Sequence, residues 1–207
     1  NSGLHIVDIS DPVSPSRISF YPEENAQYTT ITDDYAYLSG HSGLQIIDVS
    51  DPVSPSRVGL YSHPYGSSPG KATVAGNYAY FVDDGLQAID ISNPTQPVRV
   101  KANLRQGGIV DVTPDYLYVI SSDGLQRLDL SNPVAPAVDI AITASFNWVY
   151  MIEGDYAFLR GESDSLLVVD LSDPSAPTKL GFYYKPGGVY MRAVIDDYIY
   201  VEDGGED

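Results

Sequence analysis

Five carboxylates recur at one place in this chain. Asp8, Asp48, Asp90, Asp129 and Asp170 each close a short apolar run and stand two residues before a Ser that is followed by Asp-Pro, Asn-Pro or their like. Wherever the later residues vary, the Asp stays. Hard oxygen donors at equal positions could form a ring of cation ligands. Equal spacing argues the other way. It puts the five in separate repeats, far from any common axis, where an Asp can accept backbone N–H bonds and stabilise a bend. The sequence therefore assigns all five to turns, and Asp11, Asp51, Asn93, Asn132 and Asp173 with them.

Other chemistry is thinner. A glycosidase needs two carboxyl groups about 5–10 Å apart. Asp111 and Glu153 come from adjacent repeats but sit at different heights in the strand alignment, so no catalytic residue is assigned. His5, His41 and His63 occupy different repeat positions and do not make the convergent set a zinc site needs. Cysteine is absent, which removes thiolate chemistry and disulfides. The second-to-third-strand hairpins are acidic. Asp203, Glu206 and Asp207 there are the candidates for calcium, the one cofactor left open.

Tyrosine occurs 17 times. Tyr35, Tyr37, Tyr78, Tyr80, Tyr116, Tyr118, Tyr156, Tyr198 and Tyr200 fill two fixed positions, with Phe158 completing the set. Such repetition predicts packing between repeats, each hydroxyl finding a partner. A scaffold repeats, whereas ligand contacts differ between repeats. The variable segments PEENAQ, SHPYGSSPGK, NLRQGG, TASFNW and YYKPGGVY therefore carry the expected binding set. It comprises His63, Tyr65, Lys71, Arg105, Trp148, Tyr184, Lys185 and Tyr190, with Arg192 from the strand that follows. Aromatics with a few cations around a concavity suit a small molecule or a glycan.

The elements that position these residues follow from the repeat itself. GLHIVDISDPVSP, GLQIIDVSDPVSP, GLQAIDISNPTQP, GLQRLDLSNPVAP and SLLVVDLSDPSAP begin at Gly3, Gly43, Gly85, Gly124 and Ser165. Between Asp8, Asp48, Asp90, Asp129 and Asp170 the spacings are 40, 42, 39 and 41. A period near 40 in a strand-rich chain reads as a propeller or an array. Within one period KATVAG is a strand, Gly76-Asn77 a turn, YAYFVD a strand, and Asp84-Gly85 a hairpin. LQAIDIS follows as a third strand, and Asn93-Pro94 ends it. A short outer strand, where Pro is best tolerated, comes last. Four strands recurring every ~40 residues make a propeller blade whose two faces only neighbouring blades can cover.

The ends complete each other. YIYVEDGGED closes the chain as a second strand and NSGLHIVDIS opens it as a third. The expected fold is an all-β, five-bladed β-propeller of four-stranded antiparallel blades in one domain, residues 1–207. Its ring is closed by N- and C-terminal strands sharing one blade. The blades are 189–207 with 1–21, then 26–62, 71–104, 108–143 and 146–184. The motif GLxIxDxS[DN]PxxP after a Y-x-Y strand resembles the LVIVD repeat family over the whole chain, with Ser165 a departure in the fifth copy. That resemblance implies a propeller, commonly of a secreted or surface-attached bacterial or archaeal protein, and carries no shared catalytic residues.

The net charge of −17, from 28 acidic and 11 basic residues, opposes binding to nucleic acid or anionic lipid. No apolar run reaches the ~20 residues of a membrane helix. The chain starts inside a repeat without an initiator Met and is expected to be a processed protein or a piece of a longer one. The functional expectation is a non-catalytic propeller outside the cell or on its surface. It binds a protein, a glycan or a neighbouring subunit through its variable loops. Two alternatives stay open: a polysaccharide hydrolase or lyase using channel carboxylates, and a structural domain of a larger surface protein or filament.

Overall fold

The computed structural model describes residues 3–23, 26–62, 70–83, 85–100, 108–113, 115–121, 124–133, 136–142, 146–173 and 176–203. Every strand pair is antiparallel, and the described residues include no α-helix. The chain divides into two compact units, one holding residues 1–106 and 133–135, the other 107–132 and 136–207.

In the first unit β1 (Gly3–Asp8) and β2 (Ser16–Pro22) form a two-stranded sheet. A four-stranded sheet follows, from β3 (Ala26–Thr32), β4 (Tyr35–Gly40), β5 (Gly43–Asp48) and β6 (Ser56–Tyr61). The next is built of β7 (Thr73–Ala75), β8 (Tyr78–Asp83), β9 (Gly85–Asp90) and β10 (Val98–Val100). In the second unit β11 (Gly108–Val112), β12 (Tyr116–Ser121), β13 (Gly124–Asp129) and β14 (Ala137–Ile142) make one such sheet. Another has β15 (Phe146–Glu153), β16 (Tyr156–Gly161), β17 (Leu166–Asp170) and β18 (Thr178–Tyr183). The last sheet has two strands, β19 (Val189–Ile195) and β20 (Tyr198–Asp203).

The turns are those the sequence demands. Asp33, Gly76, Gly154 and Asp196 open the first hairpins with φ of 49°, 53°, 56° and 51°. Such tight hairpins favour Gly, Asn and Asp at these left-handed positions. The glycine that opens a third strand has φ near 100° at Gly43, Gly85 and Gly124, which few L-residues adopt. Ser165 cannot take that conformation cheaply. The fifth copy instead inserts a 3₁₀ turn, Glu162–Asp164, and moves the positive φ onto Ser163 (54°) and Asp164 (58°).

The third strands β5 and β17 are apolar on both sides because both sides are covered. Leu44 and Ile46 of β5 pack with Ala79, Phe81 and Ile89 of the following sheet. Ile47, Ala36 and Leu38 pack toward Leu4 and Tyr21 of the preceding one. In the second unit Leu125 and Ile142 meet Val149, Leu159 and Val169, while Phe158 and Leu166 meet Val189 and Met191. Within each unit, adjacent sheets thus close a core between them, as stacked repeats require.

Two expectations about tyrosine need correction. Tyr37, Tyr80 and Tyr118 are buried, as is Phe158. Tyr198 and Tyr200, however, are 69% and 51% exposed, on a sheet that has two strands, β19 and β20, among the described residues. Tyr156, beside the turn at the end of its strand, is also exposed. Nor does each hydroxyl find a partner: that of Tyr80 is buried without one.

Candidate loop-face site

The repeated carboxylates are structural. The N–H groups of Ser10, Ser50, Ser92, Ser131 and Ser172 donate to Asp8, Asp48, Asp90, Asp129 and Asp170 at 2.8, 2.9, 2.9, 2.7 and 2.8 Å. For Asp48, Asp90 and Asp170 the serine hydroxyl, then its N–H, holds the carboxyl below its usual pKa. For Asp8 and Asp129 the N–H leads and the hydroxyl follows. Asp11, Asp51 and Asn93 accept from Val13, Val53 and Thr95 in the next turn. With these oxygens engaged locally, what differs between repeats stands out.

The largest difference lies in the second unit. Strand register places Arg160 where other repeats carry Ser39, Val82, Ile120 and Glu202, each four residues after the first strand tyrosine. Its Nη2 lies 2.8 Å from Asp164 Oδ1. Its guanidinium carbon sits 5.1 Å above the Tyr190 ring centre, within cation–π range. Asp164 raises the Arg160 pKa, first through that hydrogen bond. The Arg160 Nε is buried without a partner. Beside it, Tyr150 donates its hydroxyl to the Val189 carbonyl at 2.7 Å, and desolvation raises its pKa.

Loop conformation sets this arrangement. Tyr150 is the extra residue of a bulge in β15, and Arg192 is that of the matching bulge in β19. Bulges re-aim side chains beside functional surfaces. The 3₁₀ turn brings Asp164 against the 185–188 turn, where Gly188 N–H donates to Lys185 O at 3.0 Å. A Cβ built on Gly188 would stand 2.8 Å from Asp164 Cβ, so Gly is needed there. The hairpin after β16 and the loop before β19 therefore share one end of the unit.

Of the expected binding residues, Tyr190 is in this group. Tyr184 and Lys185 lie on its loop, Tyr184 exposed and Lys185 half-buried. Arg192 is exposed and donates through Nε to Glu202 at 2.6 Å, so β20 neutralises it. Trp148 is the register partner of Arg160. Lys71 is exposed in the first unit, before β7. His63, Tyr65, Arg105, Glu206 and Asp207 lie outside the described residues, and Asp203 ends β20. Asp111 stands opposite Tyr118 and Glu153 opposite Tyr156, so register keeps the two acids at different levels. Asp111 Oδ1 accepts from Val112 N–H, and Glu153 borders a hollow of about 680 Å³ at the other end of the strands.

Sequence reasoning missed Tyr150 and Arg160, and reached Asp164 only as one of the acidic hairpin residues. A signal existed: Arg160 is the one basic residue at a position that carries Ser39, Val82, Ile120 and Glu202 elsewhere, and Ser165 broke the glycine rule five residues later.

Antiparallel four-stranded units repeating through the chain define a repeat β-propeller. The chain belongs to the LVIVD repeat family, whose repeat matches residues 1–22, 25–63, 70–102, 108–142 and 149–184. No curated protein matches its sequence. Among solved structures, a functionally unknown protein from Desulfotomaculum acetoxidans DSM 771 is similar at TM-score 0.65 and 10% identity, covering 89% of this chain and 64% of that one. Apo AztD from Citrobacter koseri is similar at 0.55 and 13%, covering 82% and 50%. BamB from Moraxella catarrhalis is similar at 0.56 and 11%, covering 91% and 58%. At these identities the likeness is one of fold. The chain spans between half and two thirds of the length of all three.

Proposed function

We propose that this propeller is a non-catalytic binding module, outside the cell or on its surface, and that it engages its ligand through the loop face. One observation carries the reading. The scaffold repeats through the strand ends and turns, while Arg160, Asp164 and Tyr190 form a polar, aromatic group at the strand ends bordering two loops that depart from the repeat. The test compares wild type with the Arg160→Ala/Tyr184→Ala/Tyr190→Ala variant on a glycan array and in partner capture, with and without calcium. Asp196→Asn, beside the hollow at the other end, is the control. Loss in the triple variant alone, at unchanged melting temperature, is expected. Binding that survives in it would sink the loop-face assignment.

The same proposal includes five blades, with β1 and β2 completing the blade of β19 and β20. Val7 and Ile9 are 47% and 72% exposed, while Ile47, Ile89, Leu128 and Val169, equivalent to Val7, are buried. Leu180 is exposed where its equivalent Val58 packs into a core. A Cβ on Gly59 would strike Pro94 O at 1.9 Å, whereas one on Gly181, the same repeat position, meets nothing within 4 Å. In a closed ring the carbonyl of Pro12 fills that space. A disulfide engineered between His5→Cys and Val201→Cys forms readily in a monomer if β1 pairs with β20. Failure to form it would count against closure.

A further inference from the structure

We propose that the Tyr150–Arg160–Asp164–Tyr190 group binds an uncharged pyranose through two neighbouring hydroxyls, an inference that rests on the loop-face reading above. Charge balance selects the ligand. Arg160 is neutralised by Asp164 at 2.8 Å, and Arg192 by Glu202. A uronate or a phosphate would have to pull an arginine from its carboxylate, on a chain of net charge −17. An uncharged ligand meets no such barrier.

The geometry fits a sugar. The Asp164 side chain is 43% exposed and holds Arg160 through one oxygen, so it keeps acceptor capacity for hydroxyl donors. The Arg160 side chain is 27% exposed and offers N–H groups in a fixed plane beside it. Carboxylate and guanidinium side by side present acceptor and donor to adjacent hydroxyls. Tyr190, 38% exposed, supplies an aromatic surface for the C–H face of the ring. Two features of the pair are kept at an energetic cost: consecutive non-glycine residues at positive φ, Ser163 and Asp164, and the buried, unpartnered Arg160 Nε. Strain and unmet polar groups are tolerated where surrounding structure fixes them for a purpose.

The probes are neutral gluco-, manno- and galacto-oligosaccharides and, as contrast, an oligouronate. Binding is followed by calorimetry and by fluorescence of Trp148, the single tryptophan and the register partner of Arg160. Saturable binding of at least one neutral sugar is expected. Asp164→Asn and Tyr190→Ala should each weaken it about tenfold or more, while the distant Asp196→Asn leaves it unchanged. Circular dichroism and melting confirm that the variants fold. Binding of the oligouronate alone, or of no sugar, overturns the proposal. If a protein partner is then lost with the same variants, the loop-face reading stands without the sugar. Neutral-sugar binding at full strength in both variants sinks the loop-face reading as well.

Discussion

Tyr80 should be replaceable by phenylalanine with a gain in stability. Its ring is wholly buried, and its hydroxyl has no hydrogen-bond partner. Leaving a buried donor unmet costs about 1–3 kcal/mol. The fifth repeat already carries Phe158 at this position, and buries it. Removing one oxygen gives back part of that gain through lost contacts, so a net stabilisation of about 1 kcal/mol is expected at pH 7. In a chain of this size that raises the melting temperature by about 2–4 °C. The effect should also depend on pH. Burial, with a smaller contribution from Tyr78, pushes the Tyr80 pKa up from 10.0 to about 12. Between those values the unfolded chain has lost a proton that the folded chain keeps, so wild-type stability falls as pH rises. Tyr80→Phe lacks this loss, and its advantage should widen from pH 10 toward pH 12. Urea unfolding across pH 7–11.5 measures both effects. A variant less stable than wild type at pH 7, or an advantage that does not widen with alkali, would refute the argument. Tyr37→Phe is the counter-case: its hydroxyl bonds Thr32, so the change should cost about 1 kcal/mol.

Truncating Ile89 to Ala, fully buried between two sheets, should cost about 2–5 kcal/mol, read as a lower urea midpoint at unchanged slope. The five strand-end aspartates have depressed pKa values, so their stabilisation is present above their unfolded pKa and lost as pH falls through the folded values. Thermal melts should therefore fall steeply below about pH 4, and less steeply in an Asp48→Asn/Asp90→Asn variant. Gly59→Ala should destabilise strongly through its clash with the Pro94 carbonyl. Gly181→Ala should match it if the ring closes and be near neutral if it does not, both read by thermal melting.

The repeat made the fold legible because its residues face local demands. Asp48 needs only Ser50, two residues on, and that short-range bond is the same in every copy. The apolar pairs Leu44/Ile46 and Ala36/Ile47 show two covered faces by periodicity alone. Exposure of Tyr198 was not legible. It depends on what lies beside β20, and a repeat motif implies a neighbour whether or not one is paired. The missing partner of the Tyr80 hydroxyl was hidden for a similar reason: Tyr37 and Tyr80 share a motif position, but only one has a threonine in reach.

The site was half legible. Loop variability pointed to Tyr184, Lys185 and Tyr190, but variation alone cannot say which residues meet. Arg160 lies on a strand, inside the part that repetition had set aside as scaffold. Its role depends on Asp164, whose position depends on a backbone consequence of losing one glycine. With Ser165 in place of Gly, the hairpin could not turn at that residue, so it turned earlier through Ser163 and Asp164. That shift set Asp164 beside Gly188 and within reach of Arg160. Restoring the repeat at this point is therefore a sharper probe than deleting any one side chain. A hairpin carrying Gly at position 165 and the turn of its siblings should fold at least as stably. It should also withdraw Asp164 from Arg160 and lose the loop-face ligand.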